Sequence, residues 1–274
     1  MESEDITRMS FWYPKLAEFS IESRSFRCSE GLVSDLAGAF FKALEGDAFR
    51  ISSNLLRKYS DLRGFLVEAI EEWGGVFIRA DKASPKDSCL DFSYSLFYPF
   101  EFGLAVLPGT QCNACIALKP EAALALVISS ERVMRLGDPS ILWVRKPTRL
   151  RSEVRVFVKD LKPRLISWYY PEEPLSKNRG RPSIVNRIDD LEGLIGKVHK
   201  RTGLQDFTLD VGFKGRNLVV VELTPFPVRE RPHLVDPIMF RNDFWEKLEE
   251  AIEKDTTIIR YPISKIYAKE EVIK

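Results

Sequence analysis

Two apolar segments separated by a short polar turn constrain the fold of this 274-residue chain more than any other feature. Residues 207–213 read FTLDVGF, residues 218–224 read LVVVELT, and the turn KGRN lies between them. Apolar runs on both sides of a glycine-containing turn predict a β-hairpin. The chain therefore contains antiparallel sheet, and the register of this hairpin decides which of its side chains meet.

In one register of the hairpin, two acidic side chains face each other. We expect a three-residue loop, Gly215–Asn217, and with that loop Asp210 lies opposite Glu222. Thr224 shares their face because side chains alternate along a strand. Residues directly across a ladder lie about 5 Å apart, and like charges there repel. A cation between the carboxylates removes this repulsion, and a cluster of oxygen ligands is typical of Mg²⁺ sites.

Two alternatives to a metal site remain open from the hairpin alone. A two-residue loop shifts the register by one residue and places the two acids on opposite faces. Either carboxylate is also explained as an exposed strand residue that pairs with one of the 41 lysines and arginines. The hairpin by itself does not decide between these hypotheses.

The composition restricts the class of protein. A content of 45% hydrophobic and 30% charged residues is typical of a soluble globular protein. The net charge of +1 does not indicate a nucleic-acid partner, so any contact with a polyanion is local. The acidic start MESED does not resemble a signal peptide, and the longest aliphatic stretch, residues 122–128, is too short for a membrane span. We expect a cytoplasmic protein.

One pair of cysteines has a spacing that is found in metal and redox sites. Cys112 and Cys115 form a CxxC motif, which is half of a zinc site or a redox motif. No second pair follows at zinc spacing, and neither histidine, His199 or His233, lies in a ligand pattern. We interpret the cysteines as ordinary half-buried residues, with metal or redox chemistry as the alternative.

Helical and strand patterns alternate along the chain. Residues 61–73 and 189–202 have the apolar spacing of amphipathic helices, each followed by glycine. Residues 141–146 and 153–159 have strand patterns, and hairpins connect many adjacent strands. This layout predicts an α+β fold rather than a regular βαβ series.

Basic residues on several strands and loops provide candidate phosphate contacts. Arg79 ends a strand and Ser84 and Lys86 follow in a polar loop, which also has the composition of an ordinary solvated loop. Arg155 lies in a strand with Glu153 on the same face, so it either forms a surface salt bridge or reaches phosphate. Basic residues together with an acidic hairpin are the combination that a Mg²⁺–nucleotide site requires.

Segments in the same order along nearly the whole chain resemble the cell division cycle 123 family of the ATP-grasp superfamily. Each segment is short, but their order is specific. They are FWYPK at 11–15, FIRADKASPKDS at 77–88, LWVRK at 142–146, EVRVFV at 153–158, IS at 166–167, LDV at 209–211 with VELTPF at 221–226, and DPIMF at 236–240.

This resemblance implies an ATP-grasp fold in which ATP is held between two α+β subdomains. The first covers approximately residues 1–140 and carries the phosphate-contacting loop 79–88. The second covers approximately residues 141–274 and carries an adenine hinge and the magnesium-binding hairpin 207–224. The implied nucleotide contacts are Arg79, Ser84, Lys86, the backbone of Trp143, Val144 and Arg145, and Arg155, and the implied Mg²⁺ ligands are Asp210, Glu222 and Thr224.

Three of these residues depart from the pattern of the family. Arg79 stands in place of lysine, Glu222 in place of aspartate and Thr224 in place of asparagine. Arginine still binds phosphate. The other two changes lengthen one ligand and replace a carbonyl by a hydroxyl, so we expect altered or weaker metal coordination.

Members of this family assist assembly of translation initiation factor 2 by engaging its γ subunit. The resemblance therefore implies an ATP- and Mg²⁺-binding assembly chaperone. The alternatives are an ATP-grasp ligase, of the carboxylate–amine or RNA end-joining kind, and a degenerate fold that only binds protein. In an RNA-joining enzyme, residues 177–181 (KNRGR) would contact the polyanion. Whether ATP is hydrolysed stays open.

Overall fold

The computed structural model describes residues 6–85, 103–106, 115–150, 153–168, 184–229, 243–262 and 268–273. These residues form two compact units. The N-terminal unit contains Thr7–Ser10 and the described residues of Ile21–Arg149, and the C-terminal unit contains Ile6, Phe11–Ser20 and the described residues from Leu150 onward. Lys86, Cys112 and residues 177–181 lie outside the described residues.

Helices make up most of the first half of the described chain. Ser29 and Asp47 accept hydrogen bonds from backbone N–H groups and so begin two of them, while Gly74 ends another at a φ of 72°. The helix predicted at residues 61–73 is confirmed. The helices are α1 (Met9–Leu16), α2 (Glu30–Glu45), α3 (Ala48–Lys58), α4 (Ser60–Trp73), α5 (Pro120–Ile128) and α6 (Glu131–Leu136).

The longest aliphatic stretch of the sequence forms the centre of the N-terminal core. Every residue from Ala122 to Ile128 in α5 is buried. A helix that is apolar on all sides has no face for solvent, so it is stable only when other elements surround it. Helices α3 and α4 and the strand β2 (Phe77–Ala80) pack against it.

A three-stranded antiparallel sheet lies beside this core. The strand β5 (Ile141–Arg145) is in the centre, between β1 (Ser23–Arg27) and β2. Alternate residues such as Ile78 and Val144 pack into the core. A smaller hairpin of β3 (Leu104–Val106) and β4 (Cys115–Ala117) adjoins β2 through a bridge between Val76 and Ala117.

The C-terminal unit is built on a six-stranded sheet. Its strand order is β11-β10-β7-β6-β8-β9, and only β10 and β7 run parallel among the described strands. The strands are β6 (Glu153–Lys159), β7 (Lys162–Trp168), β8 (Phe207–Lys214), β9 (Asn217–Pro225), β10 (Thr257–Pro262) and β11 (Ala268–Ile273).

Two helices cover this sheet. The helix α7 (Ile188–Thr202) packs against β7 and β9, and it ends at Gly203 with a φ of 78°. The helix α8 (Phe244–Glu253) packs against β7 and β10, where Phe244 meets Phe157 and Leu165 in a small apolar cluster. Both units therefore combine helices with largely antiparallel sheet, which confirms the predicted α+β class.

The hairpin of β8 and β9 corrects one expectation and confirms another. Its turn has two residues, with Lys214 opposite Asn217, and not the three that we expected. Gly215 has a φ of 60° at the first turn position, as in a type II′ turn. Asp210 nevertheless lies opposite Glu222, because the register shifts by one residue next to Asp210 and leaves Val221 as a β-bulge.

Candidate functional site

The acidic pair of the hairpin lies on the last two strands of the C-terminal sheet, β8 and the edge strand β9. Asp210 on β8 is only 2% exposed, while Glu222 and Thr224 on β9 are half-buried. The pairing of Asp210 with Glu222 places the two carboxylates on one face, and Thr224 lies on that face as well. The structure thus brings together the three residues that the resemblance implies as metal ligands.

A buried arginine on the neighbouring strand neutralises Asp210. Arg155 lies directly opposite Asp210 across the β6–β8 ladder. Its Nε and Nη2 atoms each donate to one carboxylate oxygen of Asp210 at 2.7 Å, and Arg155 is 6% exposed. A bidentate pair of this geometry is a strong, charge-assisted interaction. Arg155 is therefore part of the acidic site and not a salt-bridged surface residue.

Mg²⁺ takes hard oxygen ligands and usually keeps several waters. Asp210, Glu222 and Thr224 supply two carboxylates and a hydroxyl. An ionised carboxylate has about four acceptor positions, of which the bidentate arginine uses two on Asp210. Within the described residues, no group of three or more His, Cys, Asp or Glu side chains is placed to hold a metal ion. A Mg²⁺ ion held by Asp210, Glu222 and Thr224 would take its remaining ligands from phosphate and water.

Two further polar residues of this sheet are buried, and the sequence did not single them out as site residues. Glu153, two residues before Arg155 on β6, is 5% exposed, and Ser167, opposite Arg155 on β7, is 6% exposed. The sequence pattern placed Glu153 on the face of Arg155 and left open whether that face is a salt-bridged surface or a phosphate contact. Their burial depends on the position of β6 in the middle of the sheet, which residue spacing does not reveal.

Three of the predicted nucleotide contacts lie on one face of the sheet of the N-terminal unit, which includes the strand of the hinge that we expected in the C-terminal part. Arg79 on β2 is directly opposite Trp143 on β5, and Arg145 lies two residues further along β5. All three side chains are on the face that is opposite the aliphatic core, and all are less than 9% exposed. The Val144 side chain points into that core instead. The sheet thus places two buried guanidinium groups beside an indole ring.

The proposed adenine hinge falls on the central strand of this sheet. Trp143, Val144 and Arg145 are paired with both β1 and β2. A central strand uses its N–H and C=O groups in two ladders, so a base that binds to this backbone must do so at the end of the strand. Beyond that end, the N–H of Lys146 donates to the carbonyl of Glu22 at 2.9 Å. The hinge assignment stays a prediction.

Asp81 organises the start of the predicted phosphate loop, and the sequence did not single it out. The residue is fully buried directly after β2. Its carboxylate accepts hydrogen bonds from the Trp143 indole at 2.9 Å and from the backbone and hydroxyl of Ser10 at 2.8 and 2.6 Å. A buried carboxylate needs several donors of this kind. Ser84, three residues on, is half-buried.

A second acidic residue, Asp138, binds the same arginine as Asp81. Arg8 pairs with both Asp81 and Asp138, and Asp138 also accepts from the Ser140 hydroxyl at 2.6 Å. Burial acts to raise the pKa of Asp138, but the hydrogen bonds from Ser140 and Arg8 outweigh it and hold that pKa below its ordinary value. Asp138 is thereby kept ionised beside the arginine.

The cysteines that the structure describes have no metal-site arrangement. Cys28 and Cys115 are both buried. Burial raises the pKa of Cys28 to about 12. Cys112 lies outside the described residues, so the role of the CxxC motif stays open.

Comparisons with known proteins place the fold but give no match at the level of sequence. No protein-family model matches the sequence, and no curated protein matches it. Among solved structures, C-terminally truncated Cdc123 from Schizosaccharomyces pombe matches with a TM-score of 0.60 over 91% of this chain and 93% of its own, at 16% identity. The chain has the fold of Cdc123.

A second structure supports the same conclusion. Cdc123 from the same yeast, in a form not described as truncated, gives a TM-score of 0.57 at 16% identity, with 91% and 93% of the two chains covered. A RimK-domain ATP-grasp protein from Sphaerobacter thermophilus is 15% identical over 84% of this chain and 63% of its own, but its TM-score of 0.42 is too low to support an argument.

The likeness to Cdc123 confirms the fold that the sequence resemblance implied. It extends over nearly the full length of both chains, so the two described units together correspond to one Cdc123 fold. At 16% identity it does not transfer a partner or an activity. No helix in the described ranges is long and apolar enough to cross a membrane.

Proposed function

We propose that this protein binds ATP with Mg²⁺ and acts as an assembly chaperone for translation initiation factor 2 through its γ subunit. One observation carries the proposal: in a chain with the fold of Cdc123, Asp210 and Glu222 lie opposite each other beside Arg155. A carboxylate pair next to a buried arginine has the chemistry for a metal ion and its phosphates.

The proposal assigns a role to each predicted residue. Asp210, Glu222 and Thr224 hold Mg²⁺, which neutralises phosphate charge. Arg79, Ser84, Lys86 and Arg155 contact phosphate oxygens. The strand end at Trp143, Val144 and Arg145 receives the adenine. Binding of the nucleotide then favours the conformation that engages the partner, because a ligand shifts a population by its differential affinity for the two states.

Isothermal titration calorimetry of Mg·ATP tests the metal site. We expect Glu222→Gln, and the double variant Asp210→Asn with Glu222→Gln, to weaken Mg²⁺-dependent ATP binding by about tenfold or more, since each change removes a charged ligand. The matched control is Glu246→Gln with Glu253→Gln, which removes the same charge from two exposed positions on α8. Equal affinity in all three variants and the wild type contradicts the site assignment.

A pull-down with the tagged protein and Mg·ATP tests the partner. We expect recovery of the γ subunit of initiation factor 2, and a weaker signal with the Glu222→Gln bait. Absence of that subunit with a folded, ATP-bound bait contradicts the chaperone role. In that case, ATP turnover that starts only when an acceptor is added would identify a ligase, because a chaperone retains its nucleotide.

A further inference from the structure

The side chain of Asp81 has a donor for each of its acceptor positions. The residue is fully buried directly after β2. Its Oδ1 atom accepts from the backbone N–H of Ser10 at 2.8 Å and from the Trp143 indole at 2.9 Å. Its Oδ2 atom accepts from the Ser10 hydroxyl at 2.6 Å and from Arg8 Nη1 at 3.4 Å. Since a carboxylate accepts about four hydrogen bonds, this group is saturated.

The start of a helix explains why a buried charge is stable at Asp81. The first N–H groups of a helix lack partners within the helix, and that end carries a partial positive charge. Met9 and Ser10 are the first residues of α1, and the N–H groups of both donate to Asp81. The bond from Met9 goes to the Asp81 carbonyl at 2.8 Å. Asp81 therefore caps α1 although it is 71 residues away from Ser10 in the sequence.

Backbone hydrogen bonds fix the turn that contains Asp81. The N–H of Ala80 donates to the carbonyl of Ala83 at 2.9 Å and so closes the turn. The N–H of Lys82 donates at 2.8 Å to the carbonyl of Gly137, in the segment between α6 and β5. The turn is thus attached to the start of α1 and to the segment before β5.

Arg8 joins the same turn to the segment before β5 a second time. Its Nη1 atom pairs with the carboxylates of both Asp81 and Asp138. Asp138 in turn accepts from the backbone and hydroxyl of Ser140 at 3.3 and 2.6 Å. The guanidinium links two loops through their acidic side chains, and its charge opposes the repulsion between those acids.

The turn is continuous with residues that the proposed function places at the phosphates. Arg79 lies two residues before Asp81 and Ser84 lies three residues after it, and all of these residues belong to the N-terminal unit. Asp81 itself is unsuited to phosphate contact, because a carboxylate supplies no donor and repels an anion. Its effect on a nucleotide is therefore indirect.

We propose that Asp81 is a positioning residue for phosphate recognition. It fixes the turn after β2 and thereby holds Arg79 and Ser84 in place for the phosphates of ATP, and Arg8 assists it through the link to Asp138. This role rests on the proposed function, since it requires that the protein binds Mg·ATP.

Preorganisation explains how a residue that does not touch the ligand changes its affinity. A loop that is ordered before binding loses less conformational freedom when the ligand arrives. Without the carboxylate, the turn loses its attachment to Ser10, Trp143 and Arg8, and part of the binding energy is used to order it. The loss concerns the phosphates and not the base, because the strand of Trp143 stays paired with both β1 and β2.

The affinities for Mg·ATP and for adenosine, which has no phosphate, test this role. Calorimetry measures Mg·ATP, and competition against labelled ATP measures adenosine. Asp81→Ala should weaken Mg·ATP binding by about tenfold or more, and Asp81→Asn by about threefold. The asparagine oxygen replaces Oδ1, but its amide nitrogen does not accept from Arg8. Adenosine affinity should not change in either variant.

The sign of the effect separates positioning from simple electrostatics. Removal of a negative charge near the phosphates would by itself strengthen the binding of ATP, and equally in both variants. Positioning predicts weaker binding instead, with partial recovery in Asp81→Asn.

Two further variants complete the test. Asp35→Ala is the matched control: Asp35 also joins two segments of the N-terminal unit, through Lys58 and Tyr59, but α2 carries none of the predicted nucleotide contacts. It should lower the Tm and leave both affinities unchanged. Arg8→Gln replaces Asp81→Ala if that variant does not fold, because the Arg8 side chain is 32% exposed. It should weaken Mg·ATP by about threefold and leave adenosine unchanged.

The possible results distinguish this role from the proposed function. Wild type that binds no Mg·ATP overturns the proposed function and the role of Asp81 with it. Wild type that binds Mg·ATP, together with Asp81 and Arg8 variants of equal or higher affinity, overturns the positioning role alone. Equal losses for ATP and adenosine overturn it as well, because they indicate a general loss of structure.

Discussion

The ion pair of Arg155 and Asp210 is buried, and the two residues are 6% and 2% exposed. The Nε and Nη2 atoms of Arg155 each donate to one carboxylate oxygen of Asp210 at 2.7 Å, so the two charges compensate each other directly. Replacing one partner leaves the other charge buried, and the cost of that charge is large. The two residues are therefore coupled in stability as well as in position.

We expect Arg155→Met to lower the free energy of unfolding by about 3–5 kcal/mol, because the Asp210 carboxylate loses its guanidinium partner. Urea denaturation measures this loss. The control is Arg201→Ala, whose partner Glu18 is exposed and whose loss should cost at most about 1 kcal/mol. Adding Asp210→Leu to Arg155→Met should recover part of the stability, and a double variant as weak as the sum of both changes contradicts the coupling.

The Cys28 thiol should be inert in the folded protein. Its pKa of about 12, raised by burial, leaves almost no thiolate at neutral pH, and the thiolate is the reactive form. We expect iodoacetamide to label Cys28 only in denaturant, as measured by peptide mass spectrometry. Since an unfolded thiol ionises near pH 8.5, the raised pKa also predicts a loss of folding stability as the pH rises above that value. Rapid labelling of the native protein near pH 8 would disprove this.

The segment between α6 and β5 shows how an element boundary depends on one ionised group. Asp138 has a φ of 52° and accepts hydrogen bonds from both the backbone and the hydroxyl of Ser140. Its pKa lies below the unfolded value, so it contributes stability that is complete above about pH 4 and is lost as the pH falls through the folded pKa.

Asp138→Asn should therefore reduce stability at neutral pH and flatten the decrease of stability below about pH 4. The matched control is Asp160→Asn, because Asp160 has the same φ of 52° but is exposed. Thermal unfolding from pH 2.5 to pH 7 compares the two. An unchanged acid dependence in the Asp138 variant would contradict the role of this ion pair.

The hairpin and the buried carboxylates mark the limit of prediction from this sequence. Side-chain alternation predicted that Asp210 and Glu222 share a face, and the structure confirms it. The turn length was wrong, because a β-bulge at Val221 lies within a uniform run of aliphatic residues and gives no local signal. The burial of Asp81 and the pairing of Arg155 with Asp210 arise from contacts between residues 55 or more positions apart, which periodicity does not encode.

For the two units together, the sequence resemblance predicted the fold class and the Cdc123 type. The order of short segments carried that prediction, because segments such as 142–146 and 153–158 fall on strands of the two sheets. No single segment was decisive. The adenine hinge and the phosphate contacts remain predictions, since they depend on a ligand and not on the packing of the chain with itself.

Mg·ATP should raise the thermal stability of the whole protein. A ligand that binds only the folded state adds about 2.7 kcal/mol at a concentration of one hundred times its Kd. We expect a Tm that rises with Mg·ATP in wild type, and a smaller rise with Glu222→Gln at the same concentration. EDTA should remove the difference between them. A rise that is equal in both proteins with Mg²⁺ present would show that Glu222 takes no part in binding.

Because of the bulge at Val221, β9 has one residue more than β8 between the turn and the acidic pair. Deletion of any one residue from Leu218 to Val221 would remove the bulge. Asp210 would still lie opposite Glu222, and a neighbouring aliphatic residue would take the position of the deleted one. A codon lost at Leu223 moves Thr224 to the other face of the strand. This hairpin is therefore tolerant of deletion on one side of its acidic pair and intolerant on the other, so related chains can differ in length there without losing the pair.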